Sequence, residues 1–149
     1  MNSNSVGVLL SPATCNGNVI DFVSGSELQG GLSISPDDDV FVHLAKTYSY
    51  SHSEMHNGNS CYESQDFSHG VTNGYHWYPL PGGMQDYNYV WAQCLELTLE
   101  ISCCKYPPEA QLPGLWAANK PALLAYMQQV HLGRQTEHRF AHKHTRDIF

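Results

Sequence analysis

The stretch that decides the fold is Gly70–Glu109, GVTNGYHWYPLPGGMQDYNYVWAQCLELTLEISCCKYPPE. From Val90 its pattern turns to period two. Leu95, Leu97, Leu99 and Ile101 alternate with Cys94, Glu96, Thr98, Glu100 and Ser102, which predicts a strand with one apolar and one polar face. Glu100 therefore points away from the purely apolar side. Glu96 and Glu100 share the polar face, an arrangement that suits acid/base work and equally suits a plain solvated surface.

Downstream of Pro107 and Pro108, the residues Leu112, Leu115, Trp116, Leu123, Met127 and Val130 keep helical spacing, with Gly133 as a stop. Pro121 interrupts the run. A proline inside a continuous helix costs about 3 kcal/mol, so a kink is expected, or two helices with the second starting near Pro121. Upstream, Ser35 as N-cap, Pro36 at the first helical position and Asp37, Asp38 and Asp39 in the first turn announce a helix. Val40, Phe41, Leu44, Ala45 and Tyr48 fall on one of its faces. Between these elements, Ser51–Gly74 reads as a loop. Three zones result: 1–34, poorly defined apart from a possible strand at Val19–Val23; 35–133, carrying the patterned elements; and 134–149, a basic, histidine-bearing tail.

A length of 149 residues suits one domain, and an apolar content of 42% excludes a disordered or collagen-like chain. Charged residues make up 14%, well below the roughly 25% of an average chain. The net charge is −7, and residues 1–133, with three basic and twelve acidic side chains, stand at −9. Charge alone thus argues against nucleic-acid binding. No apolar run approaches the ~18 residues of a membrane span. The short apolar stretch Val6–Leu10 has no basic residue before it and makes a poor signal peptide.

Cys15, Cys61, Cys94, Cys103 and Cys104 show no C-x-x-C spacing, which points to an oxidising compartment with at least one disulfide and one thiol left over. Cys103 and Cys104 are adjacent, so one of them is expected to reach a distant partner rather than its neighbour. Two clusters, His52, Glu54 and His56 in the loop and His138, His142 and His144 in the tail, have residue types that ligate zinc. Neither has a recognised zinc-site spacing, and both are expected to be solvated histidines.

The combination TNG..WYP..GGMQDYNY and E.TLE.SCCK, with SPDDDVFVHLAKTYS upstream and LWAANKPALLAYMQQVHLG downstream, resembles the zinc metallocarboxypeptidases of the N/E (regulatory) subfamily. The resemblance runs from about Ser35 to Gly133, more weakly from Gly25, and corresponds to the C-terminal half of the family's catalytic domain. It implies an α/β class, a partial metallocarboxypeptidase fold with a mixed sheet and flanking helices, without the N-terminal half and without the transthyretin-like domain expected after Gly133. The activity it implies is hydrolytic release of C-terminal lysine or arginine from peptides and proteins, outside the cell or at its surface. By position, the resemblance makes Glu100 the general base acting on a zinc-bound water, and Tyr78 the mobile tyrosine that closes over the substrate's last residue. It makes Gln85 and Gly74 lining of the pocket for the terminal side chain, and it pairs Cys61 with Cys104 in a disulfide. Leu95 and Ile101 depart from the bulkier aromatic and the leucine usual in the family.

The family's cofactor is zinc, but none of the nine histidines is followed three residues later by glutamate, so the H-x-x-E ligand motif is not found. Residues 1–34 hold no histidine for the third ligand. Without a metal to activate water, the chain is expected to be an incomplete member of the family, inactive alone. Two other readings stand beside it: a non-catalytic binding protein or truncated splice product keeping part of the pocket, and a histidine-tail metal binder. Missing neighbours should leave sheet edges and apolar surface exposed, favouring self-association and marginal stability.

Overall fold

The computed structural model describes residues 6–9, 34–58, 67–77, 82–102, 104 and 106–144, with backbone alone for 6–9, 77 and 133–144. The architecture is α/β. Helix α1, Asp38–Ser51, begins two residues later than a Ser35 N-cap implies: Asp37 occupies the cap position without a side-chain cap hydrogen bond. Asp38 N–H instead closes a turn onto Ser35 C=O at 3.2 Å. Asp38 and Asp39 remain in the first turn, where the helix dipole favours them. Phe41, Ala45 and Tyr48, spaced by four and three, are buried and form the centre of the core.

Strand β1, Val6–Leu9, lies between β2, Val71–Asn73, and β3, Thr98–Glu100. It runs antiparallel to β2 and parallel to β3, with Thr72 and Thr98 on either side of Gly7 and Val71 and Leu99 on either side of Val8. Residues directly opposite one another share a face. The row of Val71 and Leu99 packs against the core, while the row of Thr72 and Thr98 faces away from it. The expected strand at Val19–Val23 lies outside the described residues.

The strand read from Val90 onward is corrected to three residues. Met84–Ala92 forms helix α3, so Val90 is helical, and residues 93–97 run without sheet pairing before β3. Alternation of side chains was legible, but among the described residues only the part that lies beside the four-residue β1 has a partner strand. Likewise Ser51–Gly74 is not simply a loop. It contains single 3-10 turns at Met55–Asn57 and Ser68–Gly70, then β2, which leads directly into the four-residue helix α2, Gly74–Trp77.

Helix α4, Leu112–His144, continues through Pro121 and past Gly133, which corrects two further expectations: a second helix starting near Pro121, one of the two alternatives there, and a stop at Gly133. Tertiary anchoring explains the first. On both sides of Pro121 the helix is fixed to α1, through Asn119, which accepts from the buried Tyr48 hydroxyl at 2.7 Å, and through the fully buried Ala122. Pro121 itself is exposed. Gly133 only lowers helix propensity, by about 1 kcal/mol, and does not forbid continuation.

Candidate functional site

Of the sequence-derived site residues, Gln85 and Glu100 lie at the polar face of β3. Helix α3 runs along this face and touches it with its own polar side. Gln85 Nε2 donates to Thr98 Oγ1 at 2.7 Å, and Asn88 Nδ2 donates to Glu96 Oε1 at 2.6 Å. As α3 advances from Gln85 to Asn88, its partner recedes from Thr98 in β3 to Glu96 in the unpaired residues before it. Glu100, the next residue on that face, consequently lies beyond the Gln85 end, partly buried and opposite Leu9 of β1. Gln85 and Glu100 are thus brought to one end of one face, with Thr98 between them. Sequence reading missed Thr98 and Asn88; the available signal was that Thr98 shares Glu100's period-two face.

Gly74 is not brought to the same place. It is buried at the start of α2, just past Asn73, which pairs with Val6 at the opposite end of β1 from Leu9. Two strand spacings, roughly 10 Å, separate β2 from β3. Asn73 Oδ1 accepts from His76 N–H at 3.1 Å and so caps α2. Tyr78 and Cys61 lie outside the described residues. Cys104 is disulfide-bonded, and Cys94 is an exposed free thiol.

The loop histidines need correction. His52 is only 2% exposed and closes the C-terminal end of α1, so it is no solvated side chain. Its Nδ1 accepts two backbone N–H groups, those of Glu54 and Met55, each at 3.1 Å. A ring nitrogen that accepts carries no proton, which places the proton of the neutral ring on Nε2. Neither nitrogen is then a free ligand. Burial lowers the imidazole's pKa, with His56 adding to the fall and Glu54 opposing it. The tail histidines' side chains are outside the described residues.

This geometry also tests zinc. Among the described residues no group of three His, Cys, Asp or Glu side chains could hold a metal ion. Glu96, in the unpaired residues before β3, is engaged by Asn88, and His52 is committed to backbone. The described residues do not fit a zinc centre.

Comparison with known proteins adds the following. The zinc carboxypeptidase family model matches residues 8–122, and so begins inside the segment 1–34. Carboxypeptidase M of Mus musculus is 55% identical over 115 residues, 75% of this chain and 26% of that protein. Carboxypeptidase D of Homo sapiens is 50% identical over 107 residues, covering 70% of this chain and 8% of the relative. The carboxypeptidase N catalytic chain of Rattus norvegicus is 48% identical over 101 residues, 68% and 22% respectively. The chain therefore spans about a quarter or less of the length of these relatives.

Proposed function

Because the chain belongs to the zinc carboxypeptidase family, we propose that it carries the base-bearing and pocket-lining part of a site for peptide C-termini ending in lysine or arginine. In this reading it does not hydrolyse them on its own. The observation that carries the reading is the Gln85–Thr98 hydrogen bond beside Glu100. Spending the Gln85 amide nitrogen on Thr98 fixes the side chain and leaves the amide oxygen as an acceptor, the polarity a cationic substrate side chain requires. Glu100, held on a strand, is the carboxylate that would take and return a proton. Tyr78 is assigned to closing over the terminal residue and Gly74 to lining the pocket. Zinc supplies the activated water in this family, and its ligands have to come from outside the residues described here.

In the same reading Cys61 is the partner of Cys104, the protein acts outside the cell or at its surface, and copies self-associate through uncovered faces. A non-catalytic binding role is the second reading, favoured by the lack of a zinc-holding group among the described residues.

The test has two arms. Zinc content of the monodisperse chain, with and without residues 134–149, should be below stoichiometric in both forms. One zinc per chain that survives truncation would overturn the assignment of inactivity. Loss of bound zinc on truncation would instead identify the tail as a metal binder. Calorimetric binding of a peptide ending in arginine should exceed that of the same peptide ending in glutamate by about tenfold or more. Thr98→Val should remove most of that preference and Thr98→Ser restore it. Equal binding of both peptides by the wild-type chain would refute the pocket assignment. Turnover of the arginine peptide, abolished by Glu100→Gln and by a chelator, would establish the enzyme.

A further inference from the structure

We propose that the corner joining α1 to the turn at Met55–Asn57 is a pH-sensitive latch, closed by neutral His52 and released when the ring is protonated, and that release loosens the edge formed by β2 and α2. The closing contacts are all on His52. Its own N–H turns back to Tyr48 C=O and Ser49 C=O, ending α1, while its Nδ1 takes the N–H groups of Glu54 and Met55 and starts the next turn. One residue thus holds both sides of the corner, the α1 side by its backbone N–H and the following turn by its imidazole. Protonation at Nδ1 would turn the acceptor into a third donor facing two N–H groups. Nε2 is buried without a partner among the described residues, so the cation would find no new acceptor among them.

The groups around the ring favour this behaviour. On the corner itself, Glu54 raises the affinity for a proton and His56 lowers it, and both are smaller effects than burial. The 3-10 turn Ser68–Gly70 brings His69, whose Nδ1 is engaged by the Tyr50 hydroxyl at 2.5 Å. β2 brings no titratable side chain. From α4 the wall consists of Gly114, Ala117, Ala118 and Pro121, and Lys120, the one ionisable residue of that stretch, is exposed. Among the described residues, Glu54 is the carboxylate that acts on the ring.

The corner is coupled to β2 through backbone. Met55 is 1% exposed and belongs to the core. Its carbonyl lies against Gly70, where φ is +68° and an added Cβ would overlap Met55 O and crowd Ser49 Oγ. Ser49 Oγ donates to His69 C=O at 2.6 Å, and Gly58 C=O accepts from Phe67 N–H at 3.1 Å. Gly70 leads directly into β2. Moving Met55 therefore frees the segment that delivers Asn73 and Gly74. The latch stands on this geometry alone; its effect on peptide binding rests on the assignment of Gly74 to the pocket.

The sign follows from linkage. A histidine whose folded-state pKa is lowered contributes stability that is complete above about pH 6.5, the unfolded value, and is lost as pH falls through the folded-state pKa. The experiment is amide exchange at pH 7.5 and pH 5.0, corrected for intrinsic rates, read at Glu54, Met55 and Val71–Asn73 with α4 amides as internal reference. Wild-type protection should fall about tenfold or more at acid pH relative to α4. His52→Asn, whose carbonyl accepts the same N–H groups without titrating, should show no such fall, and His56→Gln should retain it. Equal wild-type protection at both pH values overturns the latch, as does an equal loss in His52→Asn. If His52→Asn does not fold, the NMR titration of the wild-type ring decides. A midpoint below the ordinary histidine value that coincides with the loss of protection supports the latch, and one at or above that value overturns it. Neither readout uses peptide binding, so the pocket assignment can fail independently.

Discussion

Tyr48 is fully buried, and its hydroxyl donates to Asn119 Oδ1 at 2.7 Å while Asn119 Nδ2 donates to Leu115 C=O. Tyr48→Phe leaves the Asn119 carbonyl without its donor inside the core, at an expected cost of about 1–3 kcal/mol in urea unfolding. Burial also raises the Tyr48 and Tyr126 phenols above their ordinary pKa. Raised values mean that stability is complete below about pH 10 and lost as pH rises through the folded-state values. Alkaline unfolding followed by tyrosinate absorbance should therefore be cooperative, and gradual ionisation without unfolding would show both rings to be accessible. Gly70→Ala should be more damaging than Tyr48→Phe, since it combines a left-handed backbone with overlap on Met55 O. At this scale Glu100 was legible because a period of two assigns each residue to a face. His52 was not: polar composition marked Ser51–Gly74 as exposed, whereas one histidine there is buried by accepting hydrogen bonds from its own following backbone. Polar pairs such as Gln85–Thr98 leave no periodic trace in a sequence.

Among the elements, α3 is inverted relative to an ordinary surface helix. Its polar residues Gln85 and Asn88 face Thr98 and Glu96 and Tyr89 alone packs its ring on Phe41 of the core, while Met84, Tyr87, Val90 and Trp91 are exposed by half or more. Periodicity could not reveal this, because reading it assumes that the apolar side is the buried one. Element α4 was legible as a helix from Leu112 onward, and its continuity was not, because local propensity at Pro121 competes with anchoring at Asn119 and Ala122. Pro121 lacks the N–H that would bond Ala117 C=O. Pro121→Ala restores it at an exposed position, against a small gain in unfolded-chain entropy. Stability should rise by about 1–2 kcal/mol, measured as a higher thermal midpoint. An unchanged or lower midpoint would mean that the helix is already broken at this point in solution.

At the scale of the whole molecule, uncovered apolar faces among the described residues lie on helices that flank the core. Trp116, Met127 and Val130 on α4 are 58%, 57% and 76% exposed, and Trp91 on α3 is 69% exposed. Spacings of 11 and 3 residues place the three α4 side chains within one sector of the helix. The core, by contrast, rests on a small buried set around Phe41, Ala45, Tyr48, Met55 and Ala122, behind a sheet of strands only three or four residues long. Apolar surface of this kind is stabilised when covered, so association and folding should be linked by mass action. The thermal midpoint is expected to rise with protein concentration, and light scattering to report species larger than the 16.7 kDa chain. Trp116→Lys combined with Val130→Glu, both on exposed positions, should shift the scattering towards the monomer while leaving the helix signal intact. It should also lower the midpoint towards the value for dilute wild-type protein, because the contribution of association to stability is lost with the contact. A concentration-independent monomer that unfolds cooperatively would show that the small core suffices and that these faces need no cover.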